Sequence, residues 1–296
     1  MALLTYVTVF SILRDLVYLL SGYLYPSSYV LILSFMSCVI GFINAVSGPK
    51  IKRVSVPLSP NTNSLHDMKI VQISDLHIGP TIKEKYVLKV VEKINKLDAD
   101  IVVFTGDIGD GRVSALKKDI SPLAKLQSKY GIFFTPGNHE YYWNVDEWLK
   151  AMREVGITNL VNDHRIIFYK NLRVLIAGIP DPVSRVTPDF NSFKNSSADY
   201  RILLSHRPGI ALEASENAID LTLSGHTHAG QFFPWTIVVK FVHKISKGLH
   251  QVERMWIYVN PGTGSWGPLI RLGTSPEITL LTLTQSNNNE RSSERL

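Results

Sequence analysis

Five short apolar runs in this chain each end in residues that can bind a metal ion. Asp75 and His77 follow the run 69–73. Asp107 and Asp110 follow 101–105, and Asn138 and His139 follow 132–135. His206 follows 201–204, and His226 and His228 follow 221–223. Carboxylate, imidazole and amide oxygen together suit borderline divalent ions such as Mn²⁺, Fe²⁺, Zn²⁺ or Co²⁺. Two such ions about 3.5–4 Å apart can share a bridging Asp, acidify the attacking water and clamp phosphoryl oxygens. Each fragment alone has an ordinary explanation. Asp-x-His and Gly-Asn-His both occur in turns, and a lone His206 can simply bond a backbone carbonyl. The joint pattern is harder to dismiss, because five of the nine histidines fall at these run ends. The single cysteine, Cys38, lies in an apolar segment far from them, and no Gly-x-Ser-x-Gly elbow is present, so a thiol or serine nucleophile is not indicated. One cysteine also excludes an intramolecular disulfide.

The elements around these residues alternate. Strand-like runs at 69–73, 101–105 and 132–135 are each followed by a loop and an amphipathic stretch, near 83–97, 114–129 and 145–155. That order predicts βαβ units with strands buried on both faces. The second half is richer in strands, at 165–169, 173–177, 201–204, 221–223, 256–259 and 278–283, with Asn171 in the first turn. The predicted class is α/β, a mixed two-sheet β-sandwich flanked by helices. Catalytic groups in such sheets gather beyond the carboxyl ends of the strands, where the candidate residues fall.

The first 49 residues are different. Apart from tyrosines and Cys38, their only ionisable side chains are Arg14 and Asp15. Residues 29–46 carry no charge, enough for a helix across a hydrocarbon core roughly 30 Å thick. The run 3–25, interrupted by Arg14 and Asp15, reads as a second span or an interfacial helix. Lys50, Lys52 and Arg53 follow, with no acidic residue before Asp67, which by the positive-inside rule places the rest of the chain on the cytoplasmic side of an inner membrane. The expected organisation is an anchor at 1–49, a Pro/Asn/Ser-rich linker at 50–67, the catalytic domain at 68–284 and a disordered tail at 285–296. The net charge of +6 comes from lysines scattered over amphipathic stretches, and no Arg/Lys and aromatic stripe marks a nucleic-acid surface.

Taken in order, Asp-x-His, Gly-Asp-x-x-Asp, Gly-Asn-His-Glu, His and Gly-His-x-His resemble the calcineurin-like metallophosphoesterases. The segment 225–231 (GHTHAGQ) and the closing run 258–283 are similar to its bacterial membrane-anchored branch. The resemblance implies one ion held by Asp75, His77, Asp107 and His228, and a second held by Asp107, Asn138, His206 and His226. It implies that His139 contacts the phosphate or protonates the leaving oxygen, and that Asp110 orients His139 and fixes its tautomer. Two departures stand out. Gly111-Arg112 reverses the Arg-Gly of the phosphoprotein phosphatases, which argues against that activity, and Ala229 replaces a frequent Gly.

The implied function is hydrolysis of a phosphodiester or pyrophosphate. Some anchored relatives cleave UDP-2,3-diacylglucosamine, which makes a lipid-linked substrate a candidate, beside a generic phosphodiesterase or nucleotide hydrolase. Tyr141, Tyr142, Trp143, Phe232, Phe233, Trp235 and Trp266 could line an acyl or base pocket, or simply pack in a core. A non-catalytic scaffold would be expected to have lost ligands, and every position is filled.

Overall fold

The computed structural model describes residues 1–285. The chain begins with two long helices, α1 (Ala2–Ser21) and α2 (Ser27–Val46), then enters strand β1 (Lys50–Pro57). The first βαβ units follow as β2 (Lys69–Ile73), α3 (Glu84–Asn95), β3 (Ile101–Thr105), α4 (Val113–Ile120) and β4 (Ile132–Thr135). Next come the short α5 (Asn138–Tyr142), α6 (Val145–Glu154), β5 (Thr158–Asn159) and the hairpin β6 (Asp163–Tyr169) and β7 (Leu172–Gly178). The second half continues through α7 (Asn191–Lys194), β8 (Tyr200–Leu204), α8 (Ala211–Glu216), β9 (Leu221–Ser224) and α9 (Trp235–Val242). It closes with β10 (Gly248–Val252), β11 (Met255–Val259) and β12 (Glu277–Thr284).

Among the described residues the strands form two six-stranded sheets, ordered β1-β12-β2-β3-β4-β5 and β10-β11-β9-β8-β7-β6. Strands β2 to β5 are parallel, as βαβ connections require. Alternation within each strand builds three layers of apolar packing. In β3, Ile101 and Val103 face the second sheet, while Val102 and Phe104 face α3, α4 and α6. Helix α3 turns Val87, Val90, Val91 and Ile94 inward at the 3–4 spacing of one helical face. The outer face of the second sheet is covered by residues around α7 and α8.

Two expectations need correction. The segment 50–67 is not a linker. Lys50–Pro57 pairs in parallel along the whole of β12, and Val56, Leu58 and Leu65 are buried between the sheets. Its charges misled the reading because β1 is an edge strand whose Lys50, Lys52 and Arg53 point to solvent. The helix expected over 114–129 stops at Ile120, where Pro122 forces a 3₁₀ turn. The run 3–25, read as a second span or an interfacial helix, does form a helix over Ala2–Ser21, in which Arg14 pairs with Asp15 at 2.7 Å and donates to Ser27 Oγ at 2.7 Å. Of the tail expected at 285–296, residues 286–296 lie outside the described residues.

Helices α1 and α2 are long and apolar enough to cross a membrane, and in α1 Ala2 and Tyr6 alone are buried. They meet the domain through few contacts. Tyr6 stacks obliquely on Phe232, and Arg271 N donates to Gly41 O at 2.9 Å. Asn44 Nδ2 donates to Arg271 O and Thr274 O at 2.8 and 2.7 Å. β1 leaves α2 at Lys50, which is level with Glu277 of β12, and β12 runs antiparallel to β2. The C-terminal end of β2, where Asp75 sits, therefore lies at the same end of the sheet as the exit from the apolar helices.

Leu65 tests the correction directly. In the full chain in detergent, Leu65→Ala should cost about 2–5 kcal/mol by urea denaturation, as core truncations do. A value below about 0.5 kcal/mol, typical of a surface position, would return this segment to the status of a linker.

Candidate metal centre

The candidate residues converge at one end of the two sheets, as the strand-end rule predicts. Three groups of potential donors have their ligand atoms within 4.8 Å of one another: Asp75, His77 and His228; His77, Asp107 and His139; and Asp107, His206 and His226. His77 Nε2 lies 3.0 Å from His228 Nε2, and His228 Nε2 lies 3.4 Å from Asp75 Oδ1. On the other side, His206 Nε2 lies 3.2 Å from each of Asp107 Oδ2, Asn138 Oδ1 and His226 Nδ1. Asp107 Oδ2 also stands 4.0 Å from His77 Nε2, so this one carboxylate belongs to both sides. All seven residues that the sequence pointed to as ligands are thus in the site.

The local backbone is shaped to aim them. Asp75, His77, Asp107, His226 and His228 all adopt left-handed conformations with φ between 49° and 70°. Such conformations cost non-glycine residues of order 1–3 kcal/mol each and collect at functional sites. Two glycines make room for the carboxylates. A Cβ on Gly225 would lie 1.8 Å from Ser74 Oγ and 2.2 Å from Asp75 Oδ2, and one on Gly137 would lie 2.2 Å from Asp107 Oδ1.

Asp75 and Asp107 are both buried. Among the described residues, their ion-pair partners within 4 Å are all imidazoles. Burial alone would raise Asp107, but His206, His77 and His139 hold its carboxyl well below the usual range. Burial works against a charged His206, yet Asp107 and Asp75 push it up to about 10. The carboxylates thus draw positive charge to the place where a divalent cation would satisfy both. Burial, with His206 and Arg207 beside it, pushes His226 down to about 3, and burial with Arg271 pushes His228 well below its ordinary value. Neutral imidazole is the form that ligates a metal, so this donor set fits divalent ions.

A calcineurin-like phosphoesterase family profile matches residues 68–230. The chain belongs to that family. It is 34% identical over 281 residues to a transmembrane protein with metallophosphoesterase domain from Danio rerio, covering 90% of this chain and 64% of that protein. A Bos taurus protein of the same name is 34% identical, covering 87% and 62%. An uncharacterized metallophosphoesterase of Campylobacter jejuni is 36% identical, covering 86% and 68%. The chain thus spans slightly less than two thirds of the vertebrate relatives. The family match covers the segment that carries all the candidate ligands, Asp75 to His228.

The phosphoesterase site contains residues that the motif reading left without a role. Glu140 is buried, and its carboxylate accepts from the backbone N–H of Asp107, Ile108, Gly109 and Gly137, at 2.7–3.3 Å. It ties the loop after β3 to the loop after β4. Burial and the nearby Asp107 push its carboxyl up to about 7, while these N–H donors act in the opposite direction. Arg271 is buried too, with donors directed at the carbonyls of His228, Pro261, Gly262 and Gly264. The signal for Glu140 was present in Gly-Asn-His-Glu. A lone arginine more than forty residues from the last ligand offered none.

His139 and Asp110 also meet as expected, through a short hydrogen bond from the imidazole Nδ1. Burial opposes the imidazolium, but Asp110 and Asp107 hold His139 above its ordinary value. Asp110 Oδ2 lies 3.1 Å from His77 Nδ1 as well, although out of hydrogen-bond alignment. Tyr142 and Trp266 flank His139, with ring centroids 5.4 and 6.1 Å away. Arg112 lines a cleft with Tyr142 and Trp143 beside them. Phe232 packs on α1 instead, and Trp235 opens α9.

Glu140→Gln offers a check on the buttress. It turns an amide N–H₂ toward backbone donors and should cost about 1–3 kcal/mol. Elemental analysis should also find less metal per chain than in the wild type. Unchanged stability and metal content would show that the loops hold themselves.

Proposed function

We infer that this phosphoesterase binds two divalent ions, anchors in a membrane through α1 and α2 with its domain on the cytoplasmic side, and hydrolyses a phosphodiester or pyrophosphate in a lipid-linked substrate. The observation that carries the two-ion reading is Asp107, whose Oδ2 is shared between the His77 side and the His206 side. Asp75, His77, Asp107 and His228 would hold one ion, and Asp107, Asn138, His206 and His226 the other. When bound, the pair supplies an activated water and neutralises charge on the phosphoryl oxygens.

The chain's own groups do the rest. Asp110 accepts from His139 Nδ1, which leaves Nε2 turned into the site, 3.8 Å from Asp107 Oδ2. With Nδ1–H given to Asp110, a proton at Nε2 makes the ring an imidazolium, the form that Asp110 and Asp107 favour. That proton can pass to the leaving oxygen, leaving neutral His139 with its Nδ1–H still on Asp110. Arg112 shares a cleft with Tyr142, whose ring lies 5.4 Å from that of His139, and is the candidate contact for a second anionic group of the substrate.

Lipid linkage is supported by the sheet geometry, since the site and the exit of the apolar helices share one end. The basic side chains of Lys50, Lys52 and Arg53 just after α2 support the cytoplasmic orientation. The vertebrate relatives named as transmembrane proteins support anchoring. UDP-2,3-diacylglucosamine is the candidate substrate.

Turnover of bis(p-nitrophenyl) phosphate with Mn²⁺ should vanish with a chelator and in Asp107→Asn, whose metal content should fall. His139→Ala should keep its metal and lose about 10²–10⁴-fold in kcat, the contribution of a positioned acid. Metal loss in His139→Ala would make that residue a ligand instead. A higher kcat/KM for UDP-2,3-diacylglucosamine than for its deacylated form would support lipid linkage, and equal values would favour a generic phosphodiesterase.

A further inference from the structure

Helix α9 reads Trp-Thr-Ile-Val-Val-Lys-Phe-Val and has no buried residue. Trp235, Ile237, Val238, Phe241 and Val242 are all exposed, Phe241 to 86% and Val242 to 69%. A contiguous apolar patch of this kind on a soluble surface marks a contact surface. Its partner can be read from what surrounds it. The residues leading into α9 already pack against the apolar helices. Phe232 stacks on Tyr6 of α1, Phe233 joins the same cluster with Phe10 and Cys38, and Phe233 N donates to Leu272 O. Leu272 and Ile270 belong to that cluster too, and Ile270 abuts Gly41 of α2 so closely that a Cβ on Gly41 would lie 2.5 Å from its Cγ2.

Depth follows from helix rise. Tyr6 lies four residues inside the start of α1, and Gly41 five residues inside the end of α2. At 1.5 Å per residue these contacts sit about 6 and 8 Å below the helix ends. Side chains packed there are at the depth an interfacial helix reaches, about 5–10 Å into the headgroup and acyl boundary. The polar residues fit as well. Lys240, Lys244 and Lys247 are exposed around the apolar patch, as expected of a segment lying on anionic headgroups.

We propose that α9 is a third membrane contact, an interfacial helix lying in the bilayer surface that α1 and α2 cross. The proposal rests on the anchoring reading above and deepens it, because α9 is joined to the metal centre at both ends. Gln231 N, four residues before the helix, donates to His228 O at 2.9 Å. His243, the residue after it, sets its ring 6.1 Å from that of His226. With α9 in the interface, the mouth of the site opens within about one helix diameter, 10–12 Å, of the lipid. The substrate class this selects is an amphiphile, whose phosphoester reaches the site while its chains stay in the bilayer.

The test uses the full chain with Cys38→Ser, reconstituted in phosphatidylcholine–phosphatidylglycerol vesicles. A nitroxide is placed in turn at Phe241→Cys, Val242→Cys, Phe35→Cys in α2, and Lys96→Cys at the far end of the sheet. Power saturation then compares collision with oxygen and with a soluble nickel chelate. Labels at 241 and 242 should favour oxygen, as the label at 35 does, while the label at 96 favours nickel. If 241 and 242 match 96 while 35 still favours oxygen, α9 lies in water, which overturns this proposal and leaves the anchor standing. If 35 also favours nickel, the anchor fails and the proposal with it. Spin–spin broadening at 241 would show a second copy of the chain on this face, which also overturns it.

Discussion

Two carboxylates, Asp75 and Asp107, are held out of water with imidazoles as their close charged company, and much of the domain is arranged to make that tolerable. An unpaired buried carboxylate is costly, so the site must supply positive charge, N–H donors or both. The histidines supply the charge-bearing surface, and cations would complete it. The backbone supplies the donors: His226 N points at Asp75, and His139 N donates to Asp107 Oδ1 at 2.9 Å. Ser74 Oγ donates to Asp75 Oδ2 at 2.5 Å. The bare Cα atoms of Gly225 and Gly137 let the neighbouring loops approach closely enough to do this. Left-handed residues and a buried Glu140 follow from the same demand. The loops cannot relax to ordinary turns without withdrawing the donors.

This dependence explains why the site was so legible in the sequence. Charge burial at strand ends needs Asp, His, Asn and Gly at fixed offsets, and those types are conspicuous beside apolar strands such as Ile101–Thr105. The strands were legible for the same reason, being apolar on both faces. What escaped was held by longer-range or less distinctive forces. β1 carries three basic residues because its outer edge is solvated, and nothing local says that its backbone pairs with β12. Arg271 resembles any surface arginine until loop carbonyls close around it. Helix α9 is too short and too uniformly apolar to show a periodic pattern, and its place follows from Phe232 and His243 at its flanks.

The two apolar helices and the catalytic end of the sheets are likewise one arrangement. The loop 268–274 touches α2 through Gly41 and Asn44 and places Arg271 among the carbonyls that frame His228. A shift of α2 against this loop would therefore reach a ligand within a single residue. The two apolar helices are built into the frame of the site, and the fold offers no flexible tether between them and it among the described residues.

The pairing of β1 with β12 also bears on how the protein is made. β1 emerges from the ribosome directly after α2, yet its one ladder partner, β12, is synthesised after nearly all of the domain. Until then β1 is an open edge beside the apolar helices, and β2 lacks its antiparallel neighbour. Contacts this distant in sequence close slowly, because the intervening chain must first be ordered. The first sheet is therefore finished last, by a strand that ties the early and late parts of the chain together. A chain cut short before Glu277 would carry all seven candidate ligands on a sheet that lacks the strand between β1 and β2.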